Sequence, residues 1–398
     1  MLYGCMIINR KKEITMKSQD VKKIAVIGAG DMGHGIAACF LLGGYSVVLR
    51  DIEQKFVDRG MAGIRKSLDK FLAKGKISAE AHETALVRLT PKVDLCEAVR
   101  DTEFIIEAVP EKPELKKSVF AELDRFAPKH AILASNTSNI SISEIASATS
   151  RPDKVIGYHF FNPAILMKLV EVIKGAGTSE ESLRIGYDLA KGIGKVPVIV
   201  QKDSPGFIYN RVNEPTLALL SKILEAGHPS PEAFDAAFKS DMSMTPFELM
   251  DYVGIDVAVH GLEYFGHVLS PDYRPSDAFV AYVQSGNLGK KTGKGFFDWS
   301  NGRPAIDPAK ATREYDIQHI VALQVNEATR LLEEGVVDNP EEIDLAVIHG
   351  GGSPLGPFAR AKQMGYDTLL SRLDDLYRKF KLDIFKPSKT MLAANIKI

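Results

Sequence analysis

The chain has 398 residues, of which 45% are hydrophobic and 25% charged, and its formal net charge is −1. That length has room for about two or three domains, and the balanced charge gives nucleic-acid binding no electrostatic support. No apolar run approaches the roughly 20 residues of a membrane span, so neither nucleic acid nor membrane is expected as a partner. Cys5, Cys39 and Cys96 lie far apart with no C-x-x-C between them. This predicts a reducing compartment, taken as the cytoplasm, and no zinc or other metal site.

The opening Met1-Leu-Tyr-Gly-Cys-Met-Ile-Ile is apolar but too short and wrongly flanked for a signal peptide. Residues 1–20 read as a disordered extension, with Met16 as an alternative start. The apolar run Ile24 to Ile27 then reads as a buried parallel strand, followed by G-x-G-x-x-G at Gly28, Gly30 and Gly33 and a small-residue helix containing Cys39. A second apolar run, Ser46 to Leu49, leads to Asp51, 18 residues after Gly33. A dinucleotide site needs this order. Gly28 permits the tight turn, Gly30 lets backbone approach a pyrophosphate, and Gly33 packs the helix on the strand. The helix N-terminus then presents free N–H groups and a positive dipole end to the phosphates. Asp51 suits a ribose 2′-hydroxyl and repels a 2′-phosphate, which favours NAD over NADP; Arg50 beside it argues the other way. Cys39 reads as a small buried hydrophobe.

The α/β alternation continues. Lys55 to Lys74 is helix-compatible with a basic exposed side. Glu103 to Val109 is a strand, Pro113 to Phe126 a helix, and Ala131 to Ser135 a strand ending in Asn136-Thr-Ser138. Val155 to His159, Lys168 to Ile173 and Val196 to Val200 are further strands. Ligands collect at the carboxyl ends of such strands, where Gly28, Asp51, Glu107, Asn136 and His159 all fall. From about residue 203 strand signals fade and the apolar spacing turns helical. An internal repeat appears: Leu224-Glu-Ala-Gly227, Pro231-Glu-Ala-Phe-Asp235, Pro246-Phe247 and Gly254-Ile-Asp256 recur as Leu332-Glu-Glu-Gly335, Pro340-Glu-Glu-Ile-Asp344, Pro357-Phe358 and Gly365-Tyr-Asp367. A glycine-rich basic loop, Gly289 to Phe297, separates the copies. The Gly350-Gly-Gly-Ser-Pro run lacks a nucleophile elbow to accompany it and reads as a helix–helix turn. The expected partition is 1–20 extension, 21–202 Rossmann-type NAD-binding domain, 203–300 first helical unit and 301–398 second helical unit.

Chemistry falls on the strand ends. His159 precedes Phe160-Phe-Asn-Pro163, which cannot continue a regular strand past the proline, so its imidazole belongs at a strand exit. Glu171 lies 12 residues on, in the next strand. An unpaired carboxylate in an apolar strand is costly, and a neighbouring strand would bring it to the far ring nitrogen. That pairing fixes the tautomer and leaves the other nitrogen to take a proton, which alcohol oxidation by NAD requires.

From about residue 20 onward the chain resembles the L-3-hydroxyacyl-CoA dehydrogenases, on the strings Ile27-Gly-Ala-Gly-Asp-Met-Gly33, Ile106-Glu-Ala-Val-Pro-Glu111, Ala134-Ser-Asn-Thr-Ser138, His159-Phe-Phe-Asn-Pro163, Glu171-Val-Ile, Asp203-Ser-Pro-Gly-Phe-Ile-Tyr-Asn-Arg211 and Lys291-Thr-Gly-Lys-Gly-Phe-Phe297. The resemblance implies a Rossmann domain followed by an all-α domain of the 6-phosphogluconate dehydrogenase C-terminal type, here in two related copies. It implies NAD-dependent oxidation of (S)-3-hydroxyacyl-CoA to 3-oxoacyl-CoA, of short chain such as 3-hydroxybutyryl-CoA. The family's catalytic base falls on His159 and its partner on Glu171; Ser138 and Asn210 match residues that hold the substrate. Cofactor contacts fall on the glycine loop with Asp31 and Met32, on Glu107, Lys112 and Asn136, and on Lys291 from the second domain. Ser67 and Lys74 match positions that touch coenzyme A. The doubled helical unit suggests a pseudo-duplicated monomer, with a homodimer as the alternative. The second copy has Phe358-Ala-Arg-Ala where the first has Phe247-Glu-Leu-Met-Asp251, a drift toward a structural role. No hydratase domain is in evidence, so a stand-alone dehydrogenase is expected. Two other readings compete. One is a dehydrogenase of free hydroxy or sugar acids, of the lambda-crystallin or gulonate dehydrogenase type, which carries His-Pro-x-Asn-Pro where this chain has His-Phe-Phe-Asn-Pro. The other is a non-catalytic NAD sensor, which would lack the base or its partner.

Overall fold

The computed structural model describes residues 16–393. Of the proposed extension, 1–15, with Cys5, lies outside the described residues; Ser18–Asp20 forms a short 3-10 turn rather than disordered chain. Eight strands follow: β1 Lys23–Ile27, β2 Ser46–Arg50, β3 Leu89–Lys92, β4 Phe104–Glu107, β5 Ile132–Ser135, β6 Val155–Phe160, β7 Leu169–Lys174 and β8 Val196–Val200. They form one sheet in the order β3-β2-β1-β4-β5-β6-β7-β8. β1 to β6 run parallel, β7 is antiparallel to β6, and β8 is parallel to β7. The helices interleaved with them are α1 Asp31–Leu42, α2 Gln54–Ala73, α3 Ala79–Val87, α4 Leu95–Val99, α5 Pro113–Phe126, α6 Ile142–Ala146 and α7 Glu180–Gly192.

The central strands are apolar along most of their length because both faces are covered. Ile24 and Val26 of β1 pack into one core with α1, while Ala25 and Ile27 pack into the other, which runs on without a break into the helical half. The strand that the sequence pattern misses is β3. Its Leu-Thr-Pro-Lys is short and polar, and Pro91 cannot donate to a ladder, so it sits at the sheet edge where a proline is tolerated. The strand order reverses between β1 and β4, which opens a crevice at their carboxyl ends.

The helical half comprises α8 Tyr209–Ala226, α9 Pro231–Ala236, α10 Pro246–Val253, α11 Ile255–Val268 and α12 Asp277–Gln284, then α13 Ile317–Glu333, α14 Pro340–Gly351, α15 Pro357–Met364, α16 Tyr366–Phe380 and α17 Lys389–Leu392. The sequence repeat is a structural one. Asp235 accepts hydrogen bonds from the Phe247 and Glu248 N–H groups at the start of α10. Asp344 does the same for Phe358 and Ala359 at the start of α15. Each thus satisfies helix N-terminal donors from a distance. Gly254 and Gly365, at φ +121° and +83°, make the matching corners into α11 and α16. The glycine run ends α14 and supplies its left-handed cap at Gly352, as a helix–helix turn should. The two copies are joined through the buried Arg211 of α8, whose guanidinium bonds Glu327 and Glu334 across the α8–α13 seam.

The copies differ where the basic loop is held. Asp251 of α10 accepts from the Phe296 and Phe297 N–H groups and the Trp299 indole. Lys362 stands at the corresponding place in α15, so the second copy has no such anchor.

Candidate active site

β1 turns into α1 through Gly28, whose φ is +104°, and a Cβ there would lie 2.5 Å from the Ala108 carbonyl oxygen. A Cβ on Gly33 would lie 1.7 Å from the Gly28 oxygen. These two glycines are therefore required by the protein's own packing. Gly30 differs: a Cβ built on it meets nothing within 4 Å. It faces open space at the N-terminus of α1, where no side chain caps the first turn. The first-turn N–H groups, those of Asp31 and Met32 among them, are left for a ligand; the exposed Asp31 carboxylate is not itself a donor. Asp51, just past β2, accepts from the Ala29 N–H at 2.8 Å and is held against the glycine loop. Arg50, which argued against NAD in the sequence, donates instead to the Val93 carbonyl on the β3 side. Loop, uncapped helix and acid together fit a dinucleotide.

Beside this crevice, between sheet and helical half, lies a cavity of about 650 Å³. Met32, Asn136, Ser138 and His159 line it from the first domain, and Asn210 and Glu214 from α8. His159 and Glu171 are directly paired residues of the β6–β7 ladder. Because β7 runs antiparallel, its beginning lies beside the end of β6. His159 Nδ1 meets Glu171 Oε2 at 2.7 Å, and Nε2 meets Ser138 Oγ at 3.1 Å. The other Glu171 oxygen accepts from the Ile208 and Tyr209 N–H groups at 3.0 and 2.8 Å. A carboxylate accepts only, so the ring proton sits on Nδ1 and the Nε2 lone pair faces Ser138 and the cavity. Glu171 is 0% exposed and His159 4%. The pair is thus shielded from water and oriented from both sides. Asn136 accepts from the Phe160 N–H at 2.8 Å, fixing the turn after β5 against the end of β6.

Other sequence-derived residues fall elsewhere. Glu107 is fully buried, and its carboxylate accepts from Lys116, the Val109 N–H and Ser135, each at 2.7 Å. It therefore braces the strand ends and does not face the cavity, because the buried ammonium of Lys116 draws it inward. Lys112 is exposed at the N-cap of α5. Lys291 pairs with Asp256 beside Gly254, a cavity residue, and so stands at the rim from the helical side. Ser67 is half-buried and Lys74 exposed, both at the far end of α2 and outside the cavity wall.

Residues the sequence reading passed over complete the site. Lys116, 1% exposed, bonds Glu107 and also pairs with Glu111 at 3.2 Å. Glu111 in turn accepts from the Thr137 hydroxyl and the Ser138 N–H. Burial alone would raise the Glu111 carboxyl; the Lys116 charge and these hydrogen bonds outweigh it and hold it below its ordinary value. The cluster pins the loop that carries Ser138. The available signal was Lys116 itself, which lies on the buried stripe of α5 with Phe120 and Leu123. Glu214 is the second omission. Among the described residues no helix is long and apolar enough to cross a membrane, and no group of acids, histidines and cysteines could hold a metal.

Fold and site define a two-domain dinucleotide-binding protein with a histidine–carboxylate pair at the cofactor crevice. Comparison with known proteins narrows this. The NAD-binding domain of 3-hydroxyacyl-CoA dehydrogenases matches residues 23–204, and the C-terminal domain of the same family matches 206–299 and 317–395. A fatty acid oxidation complex subunit alpha from Psychrobacter cryohalolentis is 36% identical over 90% of this chain. The chain spans about half the length of such relatives, 53% in that case. A probable 3-hydroxybutyryl-CoA dehydrogenase of Deinococcus radiodurans is 41% identical over 70% of this chain and all of its own. Among solved structures, a 3-hydroxybutyryl-CoA dehydrogenase from Escherichia coli K12 matches with a TM-score of 0.87 at 30% identity, covering 94% of this chain and 98% of that one. The chain belongs to the 3-hydroxyacyl-CoA dehydrogenase family, and its cofactor is NAD.

Proposed function

We propose that the protein oxidises short-chain (S)-3-hydroxyacyl-CoA thioesters, such as 3-hydroxybutyryl-CoA, to 3-oxoacyl-CoA. The observation that carries this reading is the line Ser138 Oγ, His159 Nε2, His159 Nδ1, Glu171 at the wall of a cavity that adjoins the glycine loop. NAD, when bound, supplies the acceptor for the C3 hydride. His159 Nε2 takes the 3-hydroxyl proton as the alcohol is oxidised, and in reduction the imidazolium returns it. Glu171, held by two backbone N–H groups, keeps the ring in the productive tautomer and stabilises the imidazolium. Ser138 steers the hydroxyl toward Nε2, and Asn210 holds the thioester end, a positioning role. Gly28, Gly30 and Gly33 with the start of α1 receive the pyrophosphate, Asp51 the ribose, and Asn136 and Lys291 border the nicotinamide end. Ser67 and Lys74 meet the coenzyme A moiety, whose phosphates a lysine can pair with. Ile320 of the second helical copy also lines the cavity, which supports a chain that closes its own site as a pseudo-duplicated monomer.

The test is NADH oxidation with acetoacetyl-CoA, beside free acetoacetate and beside NADPH. Turnover with the thioester and NADH alone is the expected result. Turnover with the free acid would move the assignment to a hydroxy-acid dehydrogenase. No turnover with either, while NADH still binds, would make the protein a sensor.

A further inference from the structure

Beyond Asn210 the cavity runs along α8, which presents Asn213, Glu214, Leu217 and Leu220 to it at helical spacing. Leucines suit an acyl chain; a carboxyl does not. Glu214 is 5% exposed, and its Oε1 has no hydrogen-bond partner among the described residues. Thr216 Oγ1, on the same cavity, is unpartnered as well. The Glu214 carboxyl lies against Gly261 of α11, where a Cβ would come within 3.3 Å of Oε1, so a glycine leaves the acid its space. The neighbouring polar groups are engaged with one another: Gln324 of α13 donates to Asn213 at 2.9 Å, and Asn213 donates to the Tyr209 carbonyl. Among the described residues the one lysine or arginine lining the cavity is Lys116, which is committed to Glu107 and Glu111. A buried acid without a partner is costly, and this one belongs to a residue that lines the cavity.

We propose that Glu214 is a specificity residue that reads the far end of the acyl chain, accepting a hydrogen-bond donor, a hydroxyl or an ammonium, carried beyond the reacting carbon. This rests on the reading that the cavity takes 3-hydroxyacyl-CoA. Asn210 and Glu214 are four residues apart, roughly 6 Å along the helix, so the donor sits a few bonds past the carbonyl that Asn210 holds. Burial pushes the free carboxyl up to about 8. Near neutral pH it is therefore a neutral acid that can bond a hydroxyl; beside an ammonium the carboxyl is lowered again, releases its proton to solvent and pairs as a carboxylate. A chain ending in a methyl leaves the acid as unsatisfied as before.

The experiment compares NAD-dependent oxidation of (S)-3-hydroxyhexanoyl-CoA with its 6-hydroxy and 6-amino derivatives and with 3-hydroxyadipyl-CoA, by the wild-type protein. The expected result is a kcat/KM at least about tenfold higher for the hydroxy or the amino chain than for the plain chain, the size of one net hydrogen bond, with the dicarboxylate poorest. Preference for the amino chain would identify an ammonium as the natural group, and preference for the hydroxy chain an alcohol. Glu214→Leu should abolish the preference and raise the thermal midpoint of the ligand-free protein. An acid kept for structure would lower that midpoint when removed. Equal or better use of the plain chain by the wild type overturns the proposal, and so does a preference that survives Glu214→Leu. Acetoacetyl-CoA separates the two levels. If it is reduced and the polar chains are not favoured, the role of Glu214 alone fails; if no thioester turns over, the acyl-CoA reading fails and this proposal with it.

Discussion

Replacing Glu171 by glutamine tests the arrangement at its tightest point. The Ile208 and Tyr209 N–H groups both aim at Oε1. They will hold the amide oxygen of the variant in that place and turn its NH2 toward His159. The ring must then accept at Nδ1 and carry its proton on Nε2, where it cannot act as a base. The charge effect adds to this. An imidazolium and a carboxylate with charge centres about 4 Å apart attract by about 4 kcal/mol at an effective dielectric of about 20. Losing that as the imidazolium forms costs roughly a thousandfold in rate. Glu171→Gln should therefore lower kcat about 10³-fold or more. NADH affinity should stay nearly unchanged, since Glu171 lies apart from the glycine loop and Asp51. The assay is steady-state reduction of acetoacetyl-CoA beside a fluorescence titration of NADH, and His159→Ala should behave in the same direction. A loss in kcat of less than tenfold in a folded protein would refute the reasoning, and an equal loss of NADH affinity would mean that the pair shapes the cofactor site instead.

Four further outcomes follow from the geometry. Gly33→Ala should prevent the first domain from folding, because its Cβ would overlap a backbone oxygen at 1.7 Å. Gly30→Ala, with open space around it, should keep the thermal midpoint within a few degrees yet weaken NADH binding about tenfold or more; thermal melts and NADH titration of both variants check this. Lys116→Met leaves the fully buried Glu107 without its cation, a loss of about 3–5 kcal/mol by urea unfolding, and adding Glu107→Gln should restore most of it. The Glu214 carboxyl is raised by burial to about 8. Above the unfolded value the unfolded chain releases this proton while the folded one retains it. The contribution is thus fully present below the ordinary glutamate range and is lost as pH rises through about 8. Between pH of about 5.5 and 8, wild type should lose on the order of 3 kcal/mol relative to Glu214→Gln; parallel stability–pH curves for the two would show that the acid is not buried as described.

The parts of the protein that depend on local chemistry could be read from the order of its residues. The G-x-G-x-x-G between an apolar strand and a small-residue helix, with Asp51 closing the second strand, requires only backbone sterics and short-range order. The helical repeat was legible because Pro-Phe stands at the same spacing before Gly-x-Asp in both copies, and the bonds that Asp235 makes to the start of its helix recur at Asp344 in the structure. The His159–Glu171 pairing was legible because a carboxylate in an apolar strand needs a partner. Tertiary structure decided the rest. Glu107 lies at a strand end like a ligand contact, yet its fate turned on which way Lys116 of α5 points, and helix packing sets that. Pro91 hid an edge strand that exists because β2 offers a free ladder. The conflict between Arg50 and Asp51 dissolved once the Val93 carbonyl was placed within reach of the arginine. Glu214 carries no signal in the sequence beyond an acid within a helix. It becomes an unpartnered group on a cavity wall only when α8, α11 and α13 converge, since desolvation is a property of the surroundings and not of the residue.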